Sequence, residues 1–359
     1  MTNIIYILSS NIEHHNKTIL HFFNDCLSNT VNNNKRVFFV VNKNKNFLLK
    51  YQNLHIKYFQ NQITLSVAII KLMKSNNNLK FFFHGQFNVF IWIALFIKII
   101  NKKQFLWHIW GGDLYETSKL LKFKLLYYLR RLIYKNIECI FGTQGDLIYF
   151  SKFNINTIKY ILYFPVPIHV INNLSDKLIK NKVTTILLGN SGDPSNRHIE
   201  GLQAIKKQFI NQSIKIIIPA GYPKNNHAYI IKIIQTAKLY FLDHEIIIIK
   251  QIIKYHDYCN LLKQCDLAYL IFQRQQGIGT ISLLIKFSIP FVIDKKNYFY
   301  YDLIQYKIPF IFLDTTFNNK ILMQIKKQLI QTKKNTIYFL NYKLIIKQWQ
   351  NTLKLIEHQ

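Results

Sequence analysis

Residues Trp107–Glu116 read WHIWGGDLYE, and the parsing of this stretch decides the fold. The apolar run that ends in Trp110 (QFLWHIW, Gln104–Trp110) predicts a strand. Gly111 and Gly112 predict a tight turn, and Asp113 and Glu116 stand where a helical pattern begins. Glycine turns a backbone through positive φ or lets it approach a ligand closely, and carboxylates are favoured at a helix N-terminus. A strand that runs through a turn into a helix is the repeating unit of an open parallel sheet, whose ligands lie outside the carboxyl ends of the strands. The same residues also read as an ordinary turn with a capped helix, His108 and Trp110 merely packing.

Working outward, the alternation continues along the chain. Asn3–Leu8, Arg36–Val41, Leu54–Phe59, Leu79–Phe83 and Ile137–Phe141 read as further strands. Helical patterns run through about Val31 and over Ile63–Lys74, Phe87–Ile97 and Ser118–Lys135. The pattern lapses in FPVPIHVINNLSDKLIKNK, which has two prolines and no clean period. Strands resume at Thr184–Leu188, Ile214–Pro219, Glu245–Ile249, Asp266–Ile271 and Pro290–Ile293, and a last helix spans Tyr342–Glu357. Such alternation predicts parallel, doubly wound sheets. The expected fold class is α/β, two Rossmann-like domains facing a cleft, as in the GT-B architecture of glycosyltransferases among other folds. The domains are expected over 1–165 and 183–340, with a linker over 166–182 and a helix in 341–359 placed to pack back on the first domain.

Half of the 359 residues are hydrophobic, ample for two buried sheets. Phe87–Ile97 is too short for a bilayer and reads as a helix against a sheet. The N-terminal MTNIIYILSS has no basic region before its apolar run and reads as a first strand, not a signal peptide. Cys26, Cys139, Cys259 and Cys265 lack metal-ligand spacing and read as reduced thiols, which implies the cytosol or a cytosolic membrane face. Lys plus Arg is 47 against 17 Asp plus Glu, a net +30, which suggests an anionic partner: nucleic acid, a phosphorylated substrate or an anionic membrane. Lysine accounts for nearly all of the excess, alongside much asparagine and isoleucine, the residues AT-rich codons favour. Against that background the five arginines are informative, because a guanidinium grips phosphate in a fork that lysine cannot form.

Two stretches of the second half pair a strand with a glycine loop and an arginine. Thr184–Leu188 runs into GNSGDPSNRH (Gly189–His198), offering Gly189, Asn190, Ser191 and Arg197. Asp266–Ile271 runs into FQRQQGIGT (Phe272–Thr280), offering Arg274, Gln275, Gln276, Gly277, Gly279 and Thr280. Backbone N–H groups at such turns make anion sites. Neither loop is GxGxxG or a Walker loop, so neither a hydride enzyme nor a P-loop NTPase is indicated. In the first half the tips carry His14 and His15, His84 and Gly85, and Gly111, Gly112, Asp113 and Glu116. Histidines and carboxylates suit removal of a proton from a hydroxyl acceptor, and Asp113, His84 and Glu116 are the catalytic candidates. No DxD occurs, so no metal-bridged diphosphate and no cofactor is expected. Ser118–Lys135 interleaves apolar residues with Lys122, Arg130 and Arg131, and reads either as a basic helix on an anionic membrane or as an ordinary surface helix.

HHN at 14–16, FFND at 22–25, FFFHGQFN at 81–88, HIWGGDLYE at 108–116, GNSGD at 189–193 and RQQGIGT at 274–280 occur in order. As a set they resemble the TDP-N-acetylfucosamine:lipid II N-acetylfucosaminyltransferases of enterobacterial common antigen synthesis, over nearly the whole chain. Gly112 stands where alanine is expected. The resemblance implies a GT-B enzyme, peripheral on the cytoplasmic face of the inner membrane. It would move 4-acetamido-4,6-dideoxy-galactose from a TDP-sugar to a polyprenyl-diphosphate-linked disaccharide. The second domain would bind the donor, and the first the acceptor near His84, Asp113 and Glu116, with His14, His15, Gly85, Gly111 and Gly112 on the acceptor side. The alternatives are a sugar-nucleotide epimerase of the same fold and a basic nucleic-acid-binding protein; no helix-turn-helix, zinc or RNA-recognition signature supports the latter.

Overall fold

The computed structural model of the chain describes residues 4–10, 12–27, 35–42, 50–116, 121–166, 184–223 and 225–357. The expected linker, 166–182, lies outside the described residues except for Val166. There are two compact units, Met1–Pro167 with Asn341–Gln359, and Ile168–Leu340. Each is built on one parallel sheet, which makes the fold α/β with two sheets of Rossmann-like topology.

The first unit carries β1 (Ile4–Leu8), α1 (Glu13–His21), β2 (Arg36–Val41), β3 (Leu54–Phe59), α2 (Gln62–Ser75) and β4 (Lys80–His84). It continues with α3 (Val89–Phe96), β5 (Phe105–His108), α4 (Leu121–Tyr134), β6 (Cys139–Gly142), α5 (Gln144–Ser151) and β7 (Ile158–Ile161). The sheet order is β3-β2-β1-β4-β5-β6-β7. Its central strands are buried on both faces, which is why KFFFH and FLWH read as continuous apolar runs. Side chains start the helices between them. Asn61 and Asn88 cap α2 and α3, and Thr143 with Asp146 forms a capping box on α5. The edge strand β7 is short and half-exposed, and its sequence carries no run long enough to announce it.

The second unit carries β8 (Thr184–Leu188), α6 (His198–Gln208), β9 (Ile214–Pro219), α7 (His227–Tyr240), β10 (Ile246–Ile249) and α8 (Tyr255–Lys263). It closes with β11 (Leu267–Leu270), α9 (Ile278–Lys286), β12 (Phe291–Ile293), α10 (Tyr300–Gln305), β13 (Ile311–Phe312) and α11 (Asn319–Gln331). The order is β10-β9-β8-β11-β12-β13, so sheet growth reverses between β8 and β11.

The chain then returns to the first unit as α12 (Tyr342–Glu357). Trp349, fully buried, donates from Nε1 to the Tyr163 carbonyl at 2.9 Å and packs with Phe22, Phe23 and Phe82. Gln348 donates from Nε2 to the Ile161 carbonyl at 2.9 Å. Glu357 accepts from Tyr6 Oη at 3.2 Å and pairs with Arg36. The first and last segments of the chain therefore share one core.

Candidate active site

In open α/β sheets the ligand crevice forms at the carboxyl ends of the strands, where the strand order reverses. In the second unit that point lies between β8 and β11, and the two glycine loops follow these two strands. Gly189 and Gly277 both have positive φ, +71° and +66°. A Cβ on Gly189 would come 2.7 Å from His198 Nε2, and one on Gly277 2.9 Å from Asn190 Nδ2, so each loop tolerates only glycine there. The loops also touch through side chains. Ser195 Oγ donates to Gln276 Oε1 at 3.0 Å, and Arg274 Nε donates to the same oxygen at 2.7 Å. Behind them, the fully buried Asn196 accepts the Asn190 N–H at 2.9 Å and donates to Ser191 Oγ at 3.0 Å. No side chain caps α9, so its first amides have no partner from a capping residue. Uncapped amides at the start of a helix are groups that suit an anion.

Other residues expected at this site are held elsewhere. Gln275 is buried, Thr280 shares a 3.0 Å hydrogen bond with Tyr258 Oη, and Gly279 lies within the first turn of α9. Arg197 is read from sequence as a phosphate ligand. Instead its Nη1 donates to the Asp294 carboxylate and, at 3.1 Å, to the Ile271 carbonyl. It ties the tips after β8, β11 and β12 together. His198, fully buried, faces Tyr229 Oη at 3.3 Å, and burial pushes its pKa down to about 4. Asn196 and Asp294 went unmarked in the sequence, because their roles depend on partners in other segments.

In the first unit the order reverses between β1 and β4. The loop after β1 leads into α1, where His14 is exposed and His15 lies edge-on to Trp110 with ring centroids 5.0 Å apart. Burial lowers the pKa of His14 and pushes that of His15 down to about 3, so both imidazoles are neutral near pH 7. Gly85, at φ +66°, lies so close under Trp110 that a Cβ would meet its ring at 2.5 Å. Gly111, at φ +80°, makes the turn after β5, and Gly112 follows it, half-buried.

Two of the catalytic candidates, Asp113 and His84, lie buried in the packing of this tip. Asp113 is fully buried. Its Oδ2 accepts from Gln86 N at 2.8 Å and Trp107 Nε1 at 2.7 Å, and its Oδ1 from Trp110 N at 2.8 Å. Burial raises its pKa, and these bonds oppose the rise. The carboxylate thus clips the turn after β4 to the turn after β5 and has no face toward solvent. His84 is also fully buried, its Nδ1 3.4 Å from His108 Nδ1, its ring stacked on Trp349. Burial holds its pKa well below the ordinary value. Neither side chain is exposed in this structure. Glu116 sits against Arg131 as an ion pair. Arg130, expected on a membrane face, is buried and donates from Nη1 to the Asp113 carbonyl at 2.6 Å. The Lys122 side chain lies outside the described residues. Among the described residues no group of three or more His, Cys, Asp or Glu side chains is placed to hold a metal ion, and no helix is long and apolar enough to cross a membrane.

Two parallel sheets of Rossmann-like topology are the parts of the GT-B fold of glycosyltransferases, and solved structures share that fold. The Anabaena protein HepE in complex with UDP is 12% identical, with 99% of this chain and 100% of that one covered at a TM-score of 0.61. A glycosyltransferase from Rickettsia africae is 12% identical over 99% and 98% at 0.64. Sucrose-phosphate synthase from Thermosynechococcus elongatus is 10% identical over 99% of both chains at 0.66. More specifically, the family model for the 4-alpha-L-fucosyltransferases, glycosyl transferase group 56, matches residues 1–358, and the chain belongs to that family.

Proposed function

We propose that the chain transfers 4-acetamido-4,6-dideoxy-galactose from a TDP-sugar to a polyprenyl-diphosphate-linked disaccharide in enterobacterial common antigen synthesis, peripherally at the cytoplasmic face of the inner membrane. The observation that carries the reading is the meeting of the Gly189–His198 and Phe272–Thr280 loops at the uncapped start of α9, in a chain of this family. HepE, of the same fold, is known in complex with UDP-glucose, which supports a nucleotide-sugar donor here. The donor diphosphate lies over the amides of Gly277–Thr280 with Arg274 alongside. As the acceptor hydroxyl oxygen bonds to the anomeric carbon, the carbon–oxygen bond to the diphosphate breaks and TDP departs with the electron pair. Fixed N–H groups and a guanidinium aimed at that developing charge lower the barrier without reorganising.

The hydroxyl proton needs a base, and the exposed His14 serves. It is neutral near pH 7 because burial lowers its pKa, and it stands in the first turn of α1, just past the loop that follows β1 at the switch point of the acceptor unit. His15, with its pKa pushed down further, is the weaker base. The test follows TDP release by purified enzyme given TDP-sugars and a lipid-linked disaccharide. His14→Gln is expected to lose at least about a hundredfold in turnover while retaining TDP affinity. A protein that binds no TDP, or a His14→Gln variant with normal turnover, overturns the donor or the base assignment respectively.

A further inference from the structure

α3 has no charged residue among its eight, yet its outer side is open: Val89, Phe90, Ile93 and Phe96 are all exposed. A helix that is apolar all round is normally buried. α2 and α4 pack against α3, and they too expose large apolar side chains, Val67 on one and Leu121, Leu125 and Tyr128 on the other. Beneath the C-terminal ends of these three helices lies a cavity of about 730 Å³, within the ~300–1,000 Å³ range of small-molecule sites. Its wall is apolar, with Met73, Phe96, Phe105 and Ile133, and Lys74, Lys98 and Lys102 also line it. Lys102 is paired with Glu138 at 3.1 Å, whereas Lys74 and Lys98 are exposed. Over residues 62–135 there are 12 Lys and Arg against two acids, Asp113 and Glu116. Asp113 is buried and Glu116 is paired with Arg131, so neither opposes an anionic surface.

We propose that this face of the first unit docks on an anionic phospholipid bilayer. α3 enters the interface, and the cavity takes one acyl chain of an acidic phospholipid whose phosphate lies between Lys74 and Lys98. Large exposed apolar side chains rimmed by lysine are what an interfacial helix requires, and a hydrocarbon tail under a phosphate matches an apolar cavity edged by two cations. The docking moves from the basic stripe of α4, where Arg130 is turned inward, to α3 and the cavity. The proposal deepens the lipid-linked-acceptor reading and rests on it for its purpose.

The experiment measures partition onto vesicles of phosphatidylcholine with and without phosphatidylglycerol, and retention of one phosphatidylglycerol by native mass spectrometry. The full chain is expected to prefer the anionic vesicles. Lys74→Gln/Lys98→Asn should weaken that partition about 30-fold, at roughly 1 kcal/mol per basic residue; asparagine suits the positive φ of Lys98. Phe90→Ser/Ile93→Ser/Phe96→Ser, at exposed positions, should weaken it at least about a hundredfold with an unchanged circular dichroism spectrum. Asn136→Trp, at the cavity lining, should abolish retention of the single lipid. Equal binding to neutral and anionic vesicles, full binding by the triple variant, or a triple variant that only shifts the oligomeric state overturns the proposal. TDP binding is read on the same preparations: TDP binding without vesicle binding sinks this proposal alone, and the reverse sinks only the transferase reading.

Discussion

Replacing Asp113 by Asn tests whether that carboxylate serves the fold or the chemistry. Three donors converge on it at 2.7–2.8 Å. Asparagine keeps one oxygen, which can accept from Gln86 N and Trp107 Nε1, but its amide nitrogen must then face the Trp110 N–H. A buried donor left unsatisfied costs about 1–3 kcal/mol, and two charge-assisted bonds reduced to neutral ones lose about 1 kcal/mol each. Relief from burying a carboxylate, whose raised pKa records that cost, returns part of the sum. A net loss of about 2–4 kcal/mol is expected for the first unit. By the size scaling of unfolding that lowers its thermal midpoint by roughly 4–16 °C. Scanning calorimetry with and without TDP reads the effect on each unit, and turnover is taken well below the new midpoint. TDP affinity should be unchanged and turnover should fall less than about tenfold. A normal midpoint with turnover down by about a hundredfold or more would refute the reasoning, because the carboxylate would then be acting on substrate.

Gly277→Ala strains a residue at φ +66° and drives a methyl to 2.9 Å from Asn190 Nδ2, so TDP affinity measured by calorimetry should fall more than about tenfold. Arg274→Ala should lose a similar factor, at about 1.5–3 kcal/mol for a charge-assisted bond, with no change in melting. Activity should persist in EDTA, since the α9 amides and Arg274 are placed to carry the diphosphate charge; restoration of chelated enzyme by Mg²⁺ or Mn²⁺ would count against it. Stability should fall as pH drops. His15 and His108 are pushed to about 3 and His84 well below its ordinary 6.5, so below pH 6.5 the unfolded chain binds protons that the folded unit refuses. His15 and His108 together should cost a few kcal/mol of stability between about pH 7.5 and 5.5, and His84 should add to the loss in the same direction; denaturant midpoints at the two pH values check it.

The two sheets are legible in the sequence because parallel strands buried on both faces read as unbroken apolar runs, and because Gly189, Gly277 and Gly111 mark the turns that follow them. That same double burial hides the direction of a side chain. In KFFFH every position from Phe81 to His84 is buried, so no alternation tells whether His84 faces inward or out. The tip carboxylate has the same ambiguity: Asp113 looks like a helix-start residue, and only the indole of Trp107 and the turn at Gln86 reveal it as a clip. Arg197 looks available until Asp294, 97 residues on, claims it. Partners that far apart leave no local signal.

The helix α12 has a consequence for the order of assembly. Trp349, Leu353 and Ile356 complete a core whose other members, such as Tyr6, Phe23 and Phe82, emerge first. Between the two stretches the ribosome must make the whole of Ile168–Leu340, on the order of 10–30 s at ordinary elongation rates. The second unit can therefore finish folding while the first still waits for its last helix with a row of aromatic rings uncovered. During that interval the nascent chain has a second unit that is complete and a first unit that is not, and the rings that α12 covers are open to water.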